Sequence, residues 1–143
     1  MQKTRRRIIK LRRLREIDDG KLNQLAVELG TIEQRLNQLS NQLSQIHREI
    51  DDSFNGSGEA VVTRNQTGVW TDHLHRVSLQ IAEAIQRDTE EREQMHDRMI
   101  QQRAKVRGWD LLLERLEEEV HAADEQTQHQ EADDRFLSKQ TVN

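Results

Sequence analysis

From Leu22 onward the apolar side chains fall at Leu22, Leu25, Leu29, Ile32, Leu36, Leu39, Leu43, Ile46 and Ile50. The steps alternate three and four without an error, which is the a/d seam of a heptad repeat and predicts a helix that packs along one stripe. A strict 3.5-residue period implies a left-handed supercoil. Upstream, Ile8 and Leu11 keep the phase, but Arg15 and Asp18 take the next two seam positions, and Leu14 and Ile17 stand one residue out. Gly20, directly after Asp18 and Asp19, predicts local bending or fraying.

A second run begins at Trp70 and continues through Leu74, Val77, Ile81 and Ile85. Asp88 and Arg92 are weak links, after which Met95, Met99, Val106, Trp109, Leu113, Leu116, Val120 and Ala123 resume it. Two four-residue steps adjoin at Val77–Ile81–Ile85, where the seam is expected to slip and the supercoil to relax. Between the runs lies "DDSFNGSGEAVVTRNQTG", with three glycines and no heptad, which marks a helix break that could resume as helix after Ser57. The pattern therefore predicts one domain over 1–143, with a helix over about 4–52, a loop over about 53–68 and a helix over about 69–137. The simplest fold is all-α, a long antiparallel two-helix coiled-coil hairpin. Folding about residue 60 would set Ile50 opposite Trp70, Leu36 near Ile85, Leu22 near Met99 and Leu11 near Asp110, with a thin layer where 88–92 meets Leu29 and Ile32. The residues after Val120 would overhang, to fray or to await a partner.

Composition narrows the class. Only 33% of residues are hydrophobic against 34% charged, aromatics are 3%, and proline and cysteine are absent. That is too little apolar material for a compact core and suits long helices. It excludes a disulfide framework and a thiolate zinc site. There is no apolar run of the 18 or so residues that a membrane span needs. The basic start "MQKTRRRIIKLRRLR" has neither the apolar core nor the cleavage site of a secretory signal, so a cytoplasmic protein is expected. The net charge of −4 conceals an asymmetry: residues 1–15 carry eight Lys or Arg and no acid, while 110–143 carry ten acids and three bases. An antiparallel fold brings these segments together.

No catalytic constellation is legible, and the chain is not expected to be an enzyme or to hold a cofactor. His73 and His75 are two apart, which on a helix turns them away from each other, whereas helical zinc ligands use spacings of three or four. Glu117, Glu118 and Glu119 have no pocket to tune them and suit a solvated face. The segment "RRRIIKLRRLR" leaves four readings open: a solvated end paired with the acidic helix, a docking surface for an acidic protein, a membrane-surface helix, or the basic arm of a zipper-type DNA binder. Against the last, Ile8, Ile9, Leu11 and Leu14 interrupt the bases at helical spacing. In "RGWDLLLERLEEE", Trp109 and Leu113 belong to the seam, Leu112 flanks it and is expected to cover Ile8 or Ile9, and Leu111 points outward as a surplus apolar residue.

Three stretches resemble the flagellar FliJ family of type III export-apparatus proteins and its injectisome relatives. "RRRIIKLRRLREIDD" resembles the family's basic opening, with Leu11, Leu14, Arg15 and Glu16 in its leucine–leucine–arginine–glutamate pattern. "RAKVRGWDLLLERLEEE" resembles the late signature, where Arg103 and Lys105 match a basic pair, Asp110 stands where glutamate is common, and Leu112, Leu113, Glu114 and Arg115 match a leucine–glutamate–arginine core. The tail "EADDRFL" resembles the acidic end. Leu111 where a basic residue is common, the absence of tyrosine and the long glycine-rich loop depart from the pattern.

The resemblance implies a non-enzymatic stalk that couples a hexameric export ATPase to a membrane export gate and escorts export chaperones. The protein would then be cytoplasmic, at most peripheral at the inner membrane, with no nucleic acid as partner. It implies an ATPase-facing end made of Arg5, Arg6, Arg7, Lys10, Arg12, Arg13, Arg15, Leu111, Leu112 and Arg115, and offers Trp70 as a contact for the gate, although Trp70 fits the core better. The competing readings are a self-associating coiled-coil scaffold, which would sediment as a parallel dimer, and a nucleic-acid binder, whose affinity would fall steeply with salt.

Overall fold

The computed structural model describes residues 1–55 and 61–141, with side chains for 1–54 and 68–140. Two helices hold all of these but Met1: α1, Gln2–Asn55, and α2, Val61–Thr141. Residues 53–55 and 61–68, expected in the loop, are therefore helical, and 56–60 lie outside the described residues. The chain has no proline to forbid helix there. A glycine such as Gly68 costs a helix only about 1 kcal/mol relative to alanine. For the same reason α1 runs unbroken through Gly20, where a bend was expected. No described residue has positive φ.

The fold is all-α, and α1 and α2 pair antiparallel in each of two compact units. The first unit joins Met1–Asn23 to Ile100–Asn143. Ile8, Leu11, Leu113 and Leu116 form its buried cluster, with Trp109, Leu112 and Val120 packed against it. Arg15 and Asp18 are half-buried on the same face, while Leu14 and Ile17 are exposed, as their phase requires. Burial marks both seams, and matching them layer to layer, with Arg12 reaching Glu117 and Arg15 reaching Asp110 from the side, sets Ile8 level with Leu116 and Leu11 level with Leu113.

The second unit is Gln24–Met99. Every α1 seam position from Leu25 to Ile50 is buried or half-buried, Ile32 most deeply at 3% exposure. On α2 the buried or half-buried stripe runs Thr71, Leu74, Ser78, Ile81, Ile85, Asp88, Arg92, Met95 and Met99, an unbroken alternation of three and four. Two expectations fail here. The seam does not slip at Val77–Ile81–Ile85, because Ser78 occupies the heptad position beside Val77 and turns its hydroxyl onto the His75 carbonyl at 2.7 Å. Trp70 is not core: the heptad counted back from Leu74 falls on Thr71, which is buried, and Trp70 is half exposed, with its ring 5.7 Å from that of His73.

The register also differs from a fold about residue 60, by one helical turn. Such a fold would set only alternate seam positions level across the pair. Matching the two buried stripes so that every layer meets a layer sets Ile50 level with Leu74, Leu29 with Met95, Ile32 with Arg92, and Leu22 with Gln102. Arg35 supports it from the side, reaching Asp88 at 3.6 Å and Glu91 at 3.2 Å. Each well-buried leucine or isoleucine adds roughly 1.5–3 kcal/mol, so the seams hold the helices together. By the same register Met1 is level with Ala123. From Glu125 to Gln140 every side chain of α2 is exposed.

Candidate partner-binding end of the paired helices

The first unit carries nearly all the residues singled out from the sequence, and it divides the basic ones into two sets. Arg5 and Arg12 lie along one edge of the α1 seam, Arg15 lies in it, and all three face α2. The Arg5 guanidinium holds both carboxylate oxygens of Asp124, at 2.9 and 3.0 Å. Arg12 reaches Glu117 at 2.6 Å and Arg15 reaches Asp110 at 2.7 Å. The hydrogen bond to Asp110, with that carboxylate's charge, pushes the Arg15 guanidinium above its already high range. These pairs stand in water, where they select the facing of the helices more than they add stability.

The second set is free. Among the described residues Arg6, Arg7, Lys10 and Arg13 are exposed and make no hydrogen bond or ion pair. Arg6, Lys10 and Arg13 point away from the seam, and Arg7 flanks it next to Ile8. Arg115, on α2, is also outward and pairs only with Glu119 of its own helix, at 3.8 Å. Leu112 is half-buried against the cluster that contains Ile8, where the sequence put it. Leu111 is 55% exposed, on the face of α2 opposite its seam. Trp70 belongs to the other unit, and its exposure leaves its ring open to contact.

A polar network that the sequence reading missed sits in the seam of this unit. Asp18 accepts from the Trp109 indole Nε1 at 2.6 Å. Gln102 Nε2 donates to the Asp18 backbone carbonyl at 2.8 Å and to its Oδ1 at 3.3 Å. Gln102 is itself buried. The signal was present, since the step from Met99 to Val106 is one whole heptad and Gln102 fills the position between. A shift of one heptad would set Asp18 level with Met99 or Leu113 and cost the carboxylate both donors. A polar seam position of this kind specifies register. Among the described residues no buried side-chain nitrogen or oxygen lacks a partner.

The indole hydrogen bond holds the Asp18 carboxyl below the usual carboxylate range; partial burial works against it, and Gln102, Lys21 and Lys105 assist. A depressed carboxyl contributes stability that is complete above its unfolded value, about 3.9, and is lost as pH falls through the lower folded value. The wild-type chain is expected to lose stability in that acid window more steeply than Asp18→Asn. Urea unfolding followed by helical circular dichroism between about pH 5 and 2 checks this, and parallel curves would exclude Asp18 as the source.

No family model, curated protein or solved structure matches the chain. What the end can do follows from its own chemistry. Among the described residues no three His, Asp or Glu group as metal ligands. The grooves at this end are open channels, one lined by Arg12, Arg15, Asp110 and Glu117 and another by Arg5, Ile9, His121 and Asp124. No described helix is long and apolar enough to cross a membrane. The surface offers unpaired cations and single exposed apolar side chains, which suits recognition of a charged macromolecular surface.

Proposed function

We propose that this chain is a non-enzymatic stalk of a flagellar-type protein-export apparatus. Its terminal unit docks on a hexameric export ATPase, and the chain assists in handling export chaperones. The observation that carries the reading is the division of the basic start of α1. Arg5, Arg12 and Arg15 are spent on α2, and Arg6, Arg7, Lys10 and Arg13 remain exposed and unpaired, while Leu111 is exposed on the outer face of α2. A helix pair held together internally, with a second set of cations turned outward, can enter an acidic ring without dismantling itself. The resemblance of the opening and of the 103–119 segment to the FliJ family supports the same assignment. In this reading Leu112 and Arg115 shape the docking end, and the exposed Trp70 is the contact offered to the export gate.

The purified chain is expected to raise the hydrolysis rate of the export ATPase produced by the same organism. The combined variant Arg6→Glu, Lys10→Glu, Arg13→Glu should lose that stimulation while keeping its helicity, because none of the three touches α2. If the wild-type chain leaves the assembled hexamer's rate unchanged, the reading fails.

A further inference from the structure

The outer face of α1 in the first unit carries Lys3, Arg6, Lys10, Arg13 and Ile17, at steps of three, four, three and four. All five are exposed, and within the described residues the four cations have no partner. The outer face of α2 in the same unit carries Leu111, Glu114, Glu118, His121 and Glu125 at the identical steps. All of these are exposed as well, and among the described residues their one pairing is internal to the stripe, His121 to Glu125 at 3.2 Å. Laid antiparallel, the two stripes match position by position. Ile17 meets Leu111, Arg13 meets Glu114, Lys10 meets Glu118, Arg6 meets His121 and Lys3 meets Glu125. Opposite charges face each other at three of the five positions, and the two exposed apolar residues face each other at one end.

Within one chain these faces cannot meet, since each lies on the side of its helix away from the seam. We infer that they meet between chains: α1 of one copy lies along α2 of a second copy, so that this unit assembles side by side with itself. The contact repeats the antiparallel α1–α2 pairing already present inside the chain, at the same heptad spacing but with charges where the seam has leucines. It gives Ile17 and Leu111, 57% and 55% exposed, a common partner in each other. Because a basic face and an acidic face stand on opposite sides of each copy, the contact is heterologous, and a third copy can add to a second.

The association is electrostatic and therefore weak and salt-sensitive. Screening acts over about 30 Å at 0.01 M ionic strength and about 8 Å at 0.15 M. It is independent of the export reading, and its test uses no ATPase. In sedimentation velocity at low ionic strength the wild-type chain should show a sedimentation coefficient that rises with concentration, and the rise should vanish in high salt.

Arg6→Glu, Lys10→Glu, Arg13→Glu makes both outer faces acidic, and Glu114→Lys, Glu118→Lys makes both basic. Each variant alone should sediment as monomer at every concentration, and an equimolar mixture should regain the association. Unchanged helical circular dichroism and melting in both variants separates lost association from lost folding. A wild-type chain that stays monomeric at low salt overturns the inference, as does association that survives either reversal or a mixture that fails to restore it.

Discussion

Leu113→Ala is expected to lower the stability of the chain by about 2–4 kcal/mol, within the range for truncating a buried leucine. Leu113 is 7% exposed and sits in the cluster with Ile8, Leu11 and Leu116. Removing its isobutyl group leaves a gap that those side chains can refill only by moving off the seam. A two-helix core has one layer of side chains, so no second layer can collapse into the space. Leu111→Ala, two residues away, is the control. Leu111 faces out, and its loss should fall within about 0.5 kcal/mol, as for surface changes generally. Urea unfolding of the pair at equal protein concentration in physiological salt measures the difference. Equal losses from both would mean that α2 is rotated from the described seam.

Arg92→Leu is expected to act in the opposite direction and to stabilise by about 1–2 kcal/mol, part of the gain from burying a leucine side chain. Arg92 occupies a seam position, half-buried and level with Ile32, the most deeply buried apolar residue among those described. Among the described residues it makes no ion pair or hydrogen bond that its removal would break. Leucine completes the layer at Ile32 with apolar contact. Neighbouring Asp88 is a different case, because Arg35 holds it at 3.6 Å, and a leucine there would leave Arg35 with Glu91 alone. A rise of several degrees in melting temperature for Arg92→Leu would agree, and a fall would show that the arginine stem already fills the layer.

These two residues also show what was legible beforehand. The α1 seam was readable because apolar residues mark every heptad position from Leu22 to Ile50, and period alone then fixes the buried face. The α2 seam was readable only where it is apolar. Thr71, Ser78 and Gln102 sit in it as fully as leucines do, but a reading that follows hydrophobicity steps past them. It invents a slip at Val77 and pulls Trp70 inward by one residue. The register was misjudged for a related reason. Placing the fold at the centre of the glycine-rich stretch assumes that the connection decides the pairing. In a coiled coil the demand that every layer find a layer decides it, and that demand moves the pair by one turn. At the candidate site, the basic composition of 5–15 was plain, but its division into cations that face α2 and cations that face outward was not. That division depends on which edge of the seam the partner's acids occupy, and so on the register. The outward position of Leu111 needed only the helical period and was read correctly.

α2 continues past the level of Met1 for the eighteen residues from Asp124 to Thr141. Beyond its first turn about fourteen of these remain, and a lone helix of that length is marginal in water even when its residues favour it. Beyond the first turn this one has no α1 beside it to keep water from its backbone amides. It can therefore unzip from Thr141 inward, turn by turn, without breaking the seam that ends at Ala123. The last quarter of α2 is thermodynamically separate from the packed helix it extends. Its helical order is the part of the molecule most easily raised or lowered by whatever surface comes to lie against it.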